Sequence, residues 1–345
     1  MPILLKDQTS DRLHASLADA GVSLHLARRL LAAAVKRGEL PAPGSGLTAR
    51  LRGRTAGCYG DPSSDAGAED RLAGGRICQV SVPSRGAGQF EAVRIPLLHR
   101  ANDCKYVACI SSQVGCAMGC VFCATGRMGF GRNLAPWEMV DQVVKLQADS
   151  PHPIRGVVFM GMGEPMLNYD AVMTAIGILS EPCGMAIAAK AITVSTVGII
   201  PGIRRFTAER QRARLVVSLT AADPGQRREL LPIEARYPTP ELLAALREYH
   251  DVSGQRVTLA WTMISGVNVG EADAVRLAEL TRGLPMKLDL IDVNDPTGRY
   301  RPPSPAELDV FRDALRAQLG MPVARRYSGG QDIHAGCGML AACPK

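Results

Sequence analysis

Between Gly115 and Arg127 the chain reads GCAMGCVFCATGR, which places three thiols, Cys116, Cys120 and Cys123, in one short loop. A CxxxCxxC triplet can wrap one side of an iron-sulfur cube. A [4Fe-4S] cluster held by three thiolates keeps one iron open for chemistry, whereas a four-coordinate structural zinc site would need a fourth ligand from elsewhere. Zinc sites usually come as paired CxxC units, and buried cysteines can also serve simply as small apolar residues. Phe122, between the last two thiols, is an apolar residue suited to shielding a cluster.

Further segments with chemical potential follow in order: GMGEP at Gly161 to Pro165, STVGI at Ser195 to Ile199, VSL at Val217 to Leu219, and GQDIHAGCG at Gly330 to Gly338. Taken singly these are ordinary features. GMGEP is a glycine turn after a strand, Ser195, Ser218, Thr220 and Asn294 are strand-end caps or turn residues, Cys109 is a buried strand residue, and Glu91 is a surface position on an alternating strand.

Together with the run CISSQVGCAMGCVFCATGRMGFGRNL, these segments resemble the RlmN/Cfr-like radical S-adenosylmethionine (SAM) adenine methyltransferases that modify ribosomal and transfer RNA. The resemblance runs from about Glu91 to the end. It implies a partial (βα)6 barrel, a 4Fe-4S cluster on Cys116, Cys120 and Cys123, and SAM contacts at Gly163, Glu164, Ser195, Ser218, Thr220 and Asn294. It also implies that Cys337 is methylated on sulfur, that Cys109 later pairs with it in a disulfide, and that Glu91 accepts a proton. Two departures stand out: Thr220 occupies the place where SLH is usual, and Asn294-Asp295 replaces the usual Asn-Pro.

The chemistry so implied explains the need for two thiols. Carbons 2 and 8 of adenine are electron-poor and carry non-acidic hydrogens, so polar methyl transfer from SAM fails there. One SAM methylates Cys337 as a nucleophile. A second, cleaved reductively at the cluster, gives a radical that takes a hydrogen from the S-methyl group, and the methylene radical adds to the base. Loss of an electron and a ring proton, with attack of Cys109 on Cys337, releases product and leaves a disulfide to be reduced. The expected partners are rRNA or tRNA and a reducing electron donor, and the expected site of methylation is carbon 2, with carbon 8 as the near alternative. Two other readings follow from the residues: a paralogue with the same radical chemistry acting on a small molecule or peptide, and a non-catalytic metal-stabilised nucleic-acid-binding protein.

These residues need a scaffold. From Tyr106 onward strands and helices alternate. The strands are expected at 106–111, 156–160, 191–195, 215–219, 257–264 and 287–291, with helices at 136–148, 169–179, 201–209, 240–249, 271–282 and 305–319. Six such units predict an α/β fold with a parallel sheet, and Pro136, Pro240 and Pro305 mark helix starts. Every named motif then falls beyond a strand's carboxyl end, where ligands gather in such folds. Leu13 to Leu31 carries apolar residues at helical spacing interrupted by Gly21, which predicts two short helices in a small amino-terminal domain (1–46) ending in the Pro/Gly-rich stretch Leu40 to Gly46. The usual aromatic-bearing helix of the family is not evident there. Residues 47–100 read as a short β-rich connection, with strands near Ile77 to Val82 and Phe90 to Ile95 and a loop at Asp61 to Gly75. The barrel is expected over 101–325 and a catalytic tail over 326–345.

The 345 residues carry a formal charge of +7, and the first hundred hold fourteen Lys and Arg against nine Asp and Glu. That balance suits a polyanionic partner, while 4% aromatic content argues against a dedicated stacking platform for single strands. No apolar stretch is long enough for a bilayer and no signal-like start is present, so a cytoplasmic, reducing location is expected for the ten cysteines.

Overall fold

A computed structural model describes residues 5–37, 69–71, 78–83, 89–97, 105–326 and 328–341. The Leu40 to Gly46 break and much of the 47–100 connection lie outside the described residues, as do Cys58, Cys104 and Cys343.

The two expected amino-terminal helices are α1 (Ser10–Ser16) and α2 (Leu24–Ala32). Thr9 and Ser23 cap them by accepting from the N–H groups of Arg12 and Leu26, and Gly21 takes the left-handed turn between them at φ +71°. Leu5, Leu13, Leu17, Val22, Ala27 and Leu30 close a small core of their own. Polar contacts seat this unit on the rest of the chain. Asp7 accepts the Trp137 N–H at 2.7 Å, Lys6 pairs with Asp141, and Glu181 accepts from the Ser10 N–H at 3.1 Å.

The connecting strands β1 (Glu69–Arg71), β2 (Cys78–Pro83) and β3 (Gln89–Leu97) form an antiparallel meander, and β3 pairs antiparallel with β4 (Lys105–Cys109). The loop expected over Asp61 to Gly75 therefore contains a strand. The residues Glu-Asp-Arg offer no apolar alternation, and pairing with β2 supplies the order. A hairpin of β5 (Gln113–Gly115) and β6 (Phe130–Asn133) follows, enclosing the cysteine loop and a short helix α3 (Ala124–Arg127).

Then come the expected alternating units, with α7 and β12 added to those read from the sequence: α4 (Pro136–Ala148), β7 (Ile154–Phe159), α5 (Tyr169–Ser180), β8 (Ile192–Thr196), α6 (Ile200–Ala208), β9 (Arg214–Ser218), α7 (Pro224–Leu230), α8 (Thr239–Ser253), β10 (Val257–Met263), α9 (Glu271–Leu280), β11 (Met286–Asp292), α10 (Pro305–Leu319) and β12 (Ala324–Arg326). The main sheet has the order β1-β2-β3-β4-β7-β8-β9-β10-β11-β12, parallel from β4 onward.

Period-two alternation gives the sheet two unlike faces. Val157, Val194, Leu215, Val217, Leu259, Trp261, Leu288 and Leu290 are fully or almost fully buried in the main core that the surrounding helices share. The opposite face carries Val216, Ala260 and Ile291 packed with Met160, and between them smaller or polar side chains such as Ser195, Ser218 and Asp289. This inner face is concave. In a flat sheet β12 would stand five strand spacings, about 24 Å, from β7. Arg326 at the end of β12 instead puts Nη1 3.3 Å from the Sδ of Met160, the residue just past β7. The sheet is a curled, incomplete barrel, as expected, with one strand more than the six read from the sequence.

A buried ion pair locks the carboxyl ends of the central strands. Arg227 on α7 donates to the carbonyls of Val197 and Leu219 at 2.8 and 3.1 Å and pairs with Glu234, whose carboxylate also accepts from the Thr239 N–H and hydroxyl at 2.8 and 2.9 Å. Both side chains are almost fully excluded from solvent. Removing one partner leaves a buried charge without compensation, so Arg227→Met should lower unfolding free energy by about 3–5 kcal/mol. Denaturant titration with retained native spectra would check this; a loss below about 1 kcal/mol would show that the pair does not hold these strand ends.

Candidate active site

The cysteine loop begins where β5 ends and is closed at its base by backbone. The Cys116 N–H donates to the Gly129 carbonyl at 2.8 Å, and Gly115, at φ +70°, lies so close that an added Cβ would sit 2.0 Å from that oxygen. Only glycine fits there. A tight turn, Cys123 N–H to Cys120 carbonyl at 3.1 Å, holds the second and third thiols on one segment, and Cys123 then starts α3.

Cys120 packs in an apolar cluster with Ala221, Leu230, Leu231, Ile264 and Val293, against which Met118, Phe122 and Cys123 also lie. Burial pushes the Cys116 thiol up to about 12, with a smaller opposing hydrogen bond from the Met118 N–H. Burial raises Cys120 as well, and the proximity of Cys123 and Cys116 raises it further. Three sulfurs within one another's field in an apolar shell become thiolates only against concentrated positive charge, which bound iron supplies. Three thiols on one loop fall one short of a four-coordinate zinc site but leave one iron of a 4Fe-4S cluster open, so this donor set suits a cluster better than a single metal ion. These three residues would hold it.

The GMGEP segment follows β7 and lies against the β4–β5 connection. Its glycines serve backbone approach to protein: a Cβ on Gly161 would come 2.7 Å from the Ile110 carbonyl, and one on Gly163, at φ +102°, would come 2.6 Å from the Gln113 Cβ. Glu164 is buried. Its carboxylate accepts the Met166 N–H at 3.0 Å and the Val197 N–H at 2.9 Å, bracing the ends of β7 and β8, while Gln113 accepts the Glu164 N–H at 2.9 Å. Desolvation raises its pKa to about 7, against opposing hydrogen bonds from Val197, Met166 and Thr196. Those three donors leave the carboxylate about one lone-pair site for a further donor.

Ser195 and Ser218 sit half-buried at the last turns of β8 and β9, on the inner face. Thr220, just beyond, is fully buried in the left-handed region at φ +63°, and its Oγ1 has no hydrogen-bond partner among the described residues.

Asn294 has a different set of neighbours. Its Nδ2 donates to the Ser328 hydroxyl at 2.9 Å and to the Cys337 carbonyl at 3.2 Å, and its Oδ1 accepts from Gln331 at 3.3 Å. It clasps the tail. Asp295, which departs from the family pattern, pairs with Arg127 of α3 at 3.1 Å. Although burial opposes it, hydrogen bonds from Thr297 and Tyr300 and the charge of Arg127 hold its carboxyl below the usual range.

The tail lies over the cysteine loop. The Ala124 N–H donates to the Gly338 carbonyl at 2.8 Å, and the Thr125 hydroxyl donates to the Leu340 carbonyl. Cys337 is exposed at its surface, yet the protein packed around its thiol raises its pKa; Arg326 lowers it and Cys123 raises it. Cys109 lies within its electrostatic reach: burial pushes that thiol up to about 12, with Cys337 adding to the rise while Arg326 and the Met160 N–H oppose it. Both cysteines are free thiols.

Glu91 is buried on β3. Val93 stands opposite Cys109, so by alternation Glu91 shares the inner face with that thiol on the neighbouring strand. The surface position suggested by its alternating strand is thus an inward one, and the Ala92 and Arg94 face is the one turned to α4, with Arg94 bonded to the carbonyls of Leu146 and Asp149.

Of the twelve residues singled out in the sequence, Glu91, Cys109, Ser195 and Ser218 lie on the inner face, Glu164, Thr220 and Asn294 follow strand ends, Cys116, Cys120 and Cys123 lie in the β5–β6 loop, Cys337 is on the tail, and Gly163 makes its close contact with Gln113. Arg326, Ser328 and Gln113 went unrecognised. The basic pair Arg325-Arg326 before the glycine-rich tail was a signal, but without β12 in view it had no location.

The sequence pattern of the Radical SAM superfamily matches residues 110–278. A probable RNA methyltransferase of Myxococcus xanthus is 53% identical over 255 residues, covering 74% of this chain and 70% of that protein. The dual-specificity RNA methyltransferase RlmN of Anaeromyxobacter dehalogenans is 41% identical, over 79% of this chain and 74% of its own length. The crystal structure of a radical SAM methyltransferase from Sphaerobacter thermophilus superposes with a TM-score of 0.88 at 37% identity, over 99% of this chain and 100% of that one. The family's cofactors are the 4Fe-4S cluster and SAM, which agrees with the donor set of the cysteine loop. With this sheet, this loop and these relatives, the chain belongs to the RlmN/Cfr-like family of radical SAM RNA methyltransferases.

Proposed function

We propose that this enzyme methylates an sp² carbon of adenine in RNA, carbon 2 in preference to carbon 8, through a methyl group carried on Cys337. The observation that carries this reading is the tail: Gly338 and Leu340 are hydrogen-bonded to α3, directly after Cys123, and the Cys337 thiol is within electrostatic reach of both Cys109 and Cys123. A methyl carrier, its resolving thiol and the cluster ligands must lie near one another for such a reaction, and this proximity supports it.

When bound, the cluster and SAM supply the electron and the hydrogen-abstracting radical that polar chemistry lacks. The protein's own groups do the rest. Ser195, Ser218 and Thr220 receive the polar parts of SAM at the strand ends, and Glu164 offers its remaining lone-pair site to the ammonium. Cys337 attacks the sulfonium methyl, giving a thioether and S-adenosylhomocysteine as its proton leaves. After carbon transfer to the base, Cys109 attacks the Cys337 sulfur. The inward Glu91 accepts a proton, and the resulting disulfide is reduced by an external donor. RNA as substrate is supported by the relatives' described activity and by the basic balance of the first hundred residues.

Replacing any of Cys116, Cys120 or Cys123 by Ser should abolish the visible absorbance of anaerobically reconstituted protein and its release of 5′-deoxyadenosine from SAM under reduction. Retention of about four irons per chain would contradict the assignment. Cys337→Ala should lose all RNA methylation. Cys109→Ala should instead leave the RNA tethered to Cys337 through the transferred carbon, visible as a protein–RNA conjugate on a denaturing gel; free methylated product at the wild-type rate would remove Cys109 from the mechanism. Nucleoside mass spectrometry of total RNA from cells with and without the gene should show a methyladenosine present only with it. An unchanged RNA profile would favour the small-molecule or peptide alternative.

A further inference from the structure

The tail from Ser328 to Gly338 contains Gly329, Gly330, Gly336 and Gly338, two of them at positive φ (+88° and +84°). Such a segment has much conformational freedom to lose, and a thiol borne on it is placed only as well as its anchors place it. On the carboxyl side of Cys337 the anchors are the Gly338 and Leu340 carbonyls, bonded to α3. On the amino side Gln331 donates to Asn294 Oδ1 at 3.3 Å, and the Ser328 hydroxyl meets the Cys337 peptide itself. Ser328 Oγ accepts the Cys337 N–H at 3.1 Å and the Asn294 Nδ2–H at 2.9 Å, which uses both of its lone pairs, and Asn294 reaches back to the Cys337 carbonyl at 3.2 Å. The peptide groups on both sides of the Cys337 Cα are thus held by one Ser–Asn pair, with the two Nδ2 hydrogens of Asn294 shared among Ser328, the Cys337 carbonyl and the Asp292 carbonyl at the end of β11, the longest of the three at 3.3 Å. Gly336 lies against Met339, whose Sδ a Cβ would meet at 2.8 Å, and in ordinary contact range of the Asn294 amide at 3.4 Å.

We propose that Ser328 is a positioning residue for Cys337: its hydroxyl, braced by Asn294, fixes the peptide that carries the thiol beside the cysteine loop. This rests on the reading that Cys337 carries the methyl group. In the step it serves, the S–C bond of Cys337 forms as the sulfonium C–S bond breaks; S-adenosylhomocysteine leaves with the electron pair and the thiol proton goes to solvent. Ser328 touches none of these atoms. It acts by keeping the sulfur on the line of attack, so its loss should reach the rate of transfer and leave the affinity for SAM unchanged.

Two measurements on the reconstituted full-length enzyme test this. In hydrogen–deuterium exchange resolved to single residues, the Cys337 amide of the wild type should exchange at least about tenfold more slowly than in Ser328→Ala, with core strand amides unchanged in the variant. Transfer of the SAM methyl group to Cys337, followed by peptide mass spectrometry, should slow about tenfold in Ser328→Ala at an unaltered KM for SAM, and Ser328→Thr should restore it. Wild-type exchange at the Cys337 amide as fast as that of an unprotected residue overturns the proposal with no variant needed, which covers the case in which Ser328→Ala fails to fold. Methyl transfer at the wild-type rate in Ser328→Ala overturns it as well, as does a defect that appears only in KM. If the wild type never methylates Cys337 while its amide is protected by Ser328, the clasp exists but the carrier reading has failed, and the positioning role falls with it.

Discussion

The curl of the sheet is the constraint on which the remaining geometry depends. Parallel strands joined by outer helices place every strand's carboxyl end on one rim, but a flat sheet would string those ends along a line. Because the strand twist accumulates until Arg326 on the last strand meets Met160 beside the second parallel strand, the rim becomes a mouth. Cys109 on the first parallel strand and the tail leaving the last one then face each other, although more than two hundred residues separate them.

The division of labour between the two faces of the sheet follows from the same curl. The outer face is filled by Val, Leu and Trp against helices and supplies the stabilising burial. The inner face is left with Ser195, Ser218, Asp289, Cys109 and Glu91, residues poor at packing and good at binding or proton transfer. Such a surface has to be held open by polar braces: Arg227 with Glu234 ties down the carbonyls of Val197 and Leu219, and Glu164 ties the amide of Val197. Some of these braces stand where ligand contacts were expected. Glu164 and Asn294 both have protein partners, so any contact they make with SAM uses their remaining hydrogen-bonding capacity or replaces a bond to the tail.

Much of this was legible in the residues. α4 begins at Pro136 and ends at Ala148 as its periodicity and proline foretold, because an amphipathic helix with a proline start carries its own boundaries. The cysteine spacing and GMGEP were equally plain. What escaped notice was tertiary in origin. β12 is Ala-Arg-Arg, with no apolar alternation, and exists because β11 offers a free edge. β5 and β6 are too short and glycine-rich to announce themselves. Asp295 looked like a defect in an Asn-Pro motif until Arg127 was seen beside it, and nothing in the local sequence of Ser328 or Arg326 distinguishes either from an ordinary loop or strand polar residue.

The central claim is that the exposed thiol of the tail is the first acceptor of the methyl group. Reconstituted enzyme incubated with SAM bearing a deuterated methyl group, quenched at short times and mapped by peptide mass spectrometry, measures this directly. The account predicts that the label appears on the sulfur of Cys337 before any appears in RNA. Label arriving in RNA while Cys337 stays unmodified at every time point would contradict it.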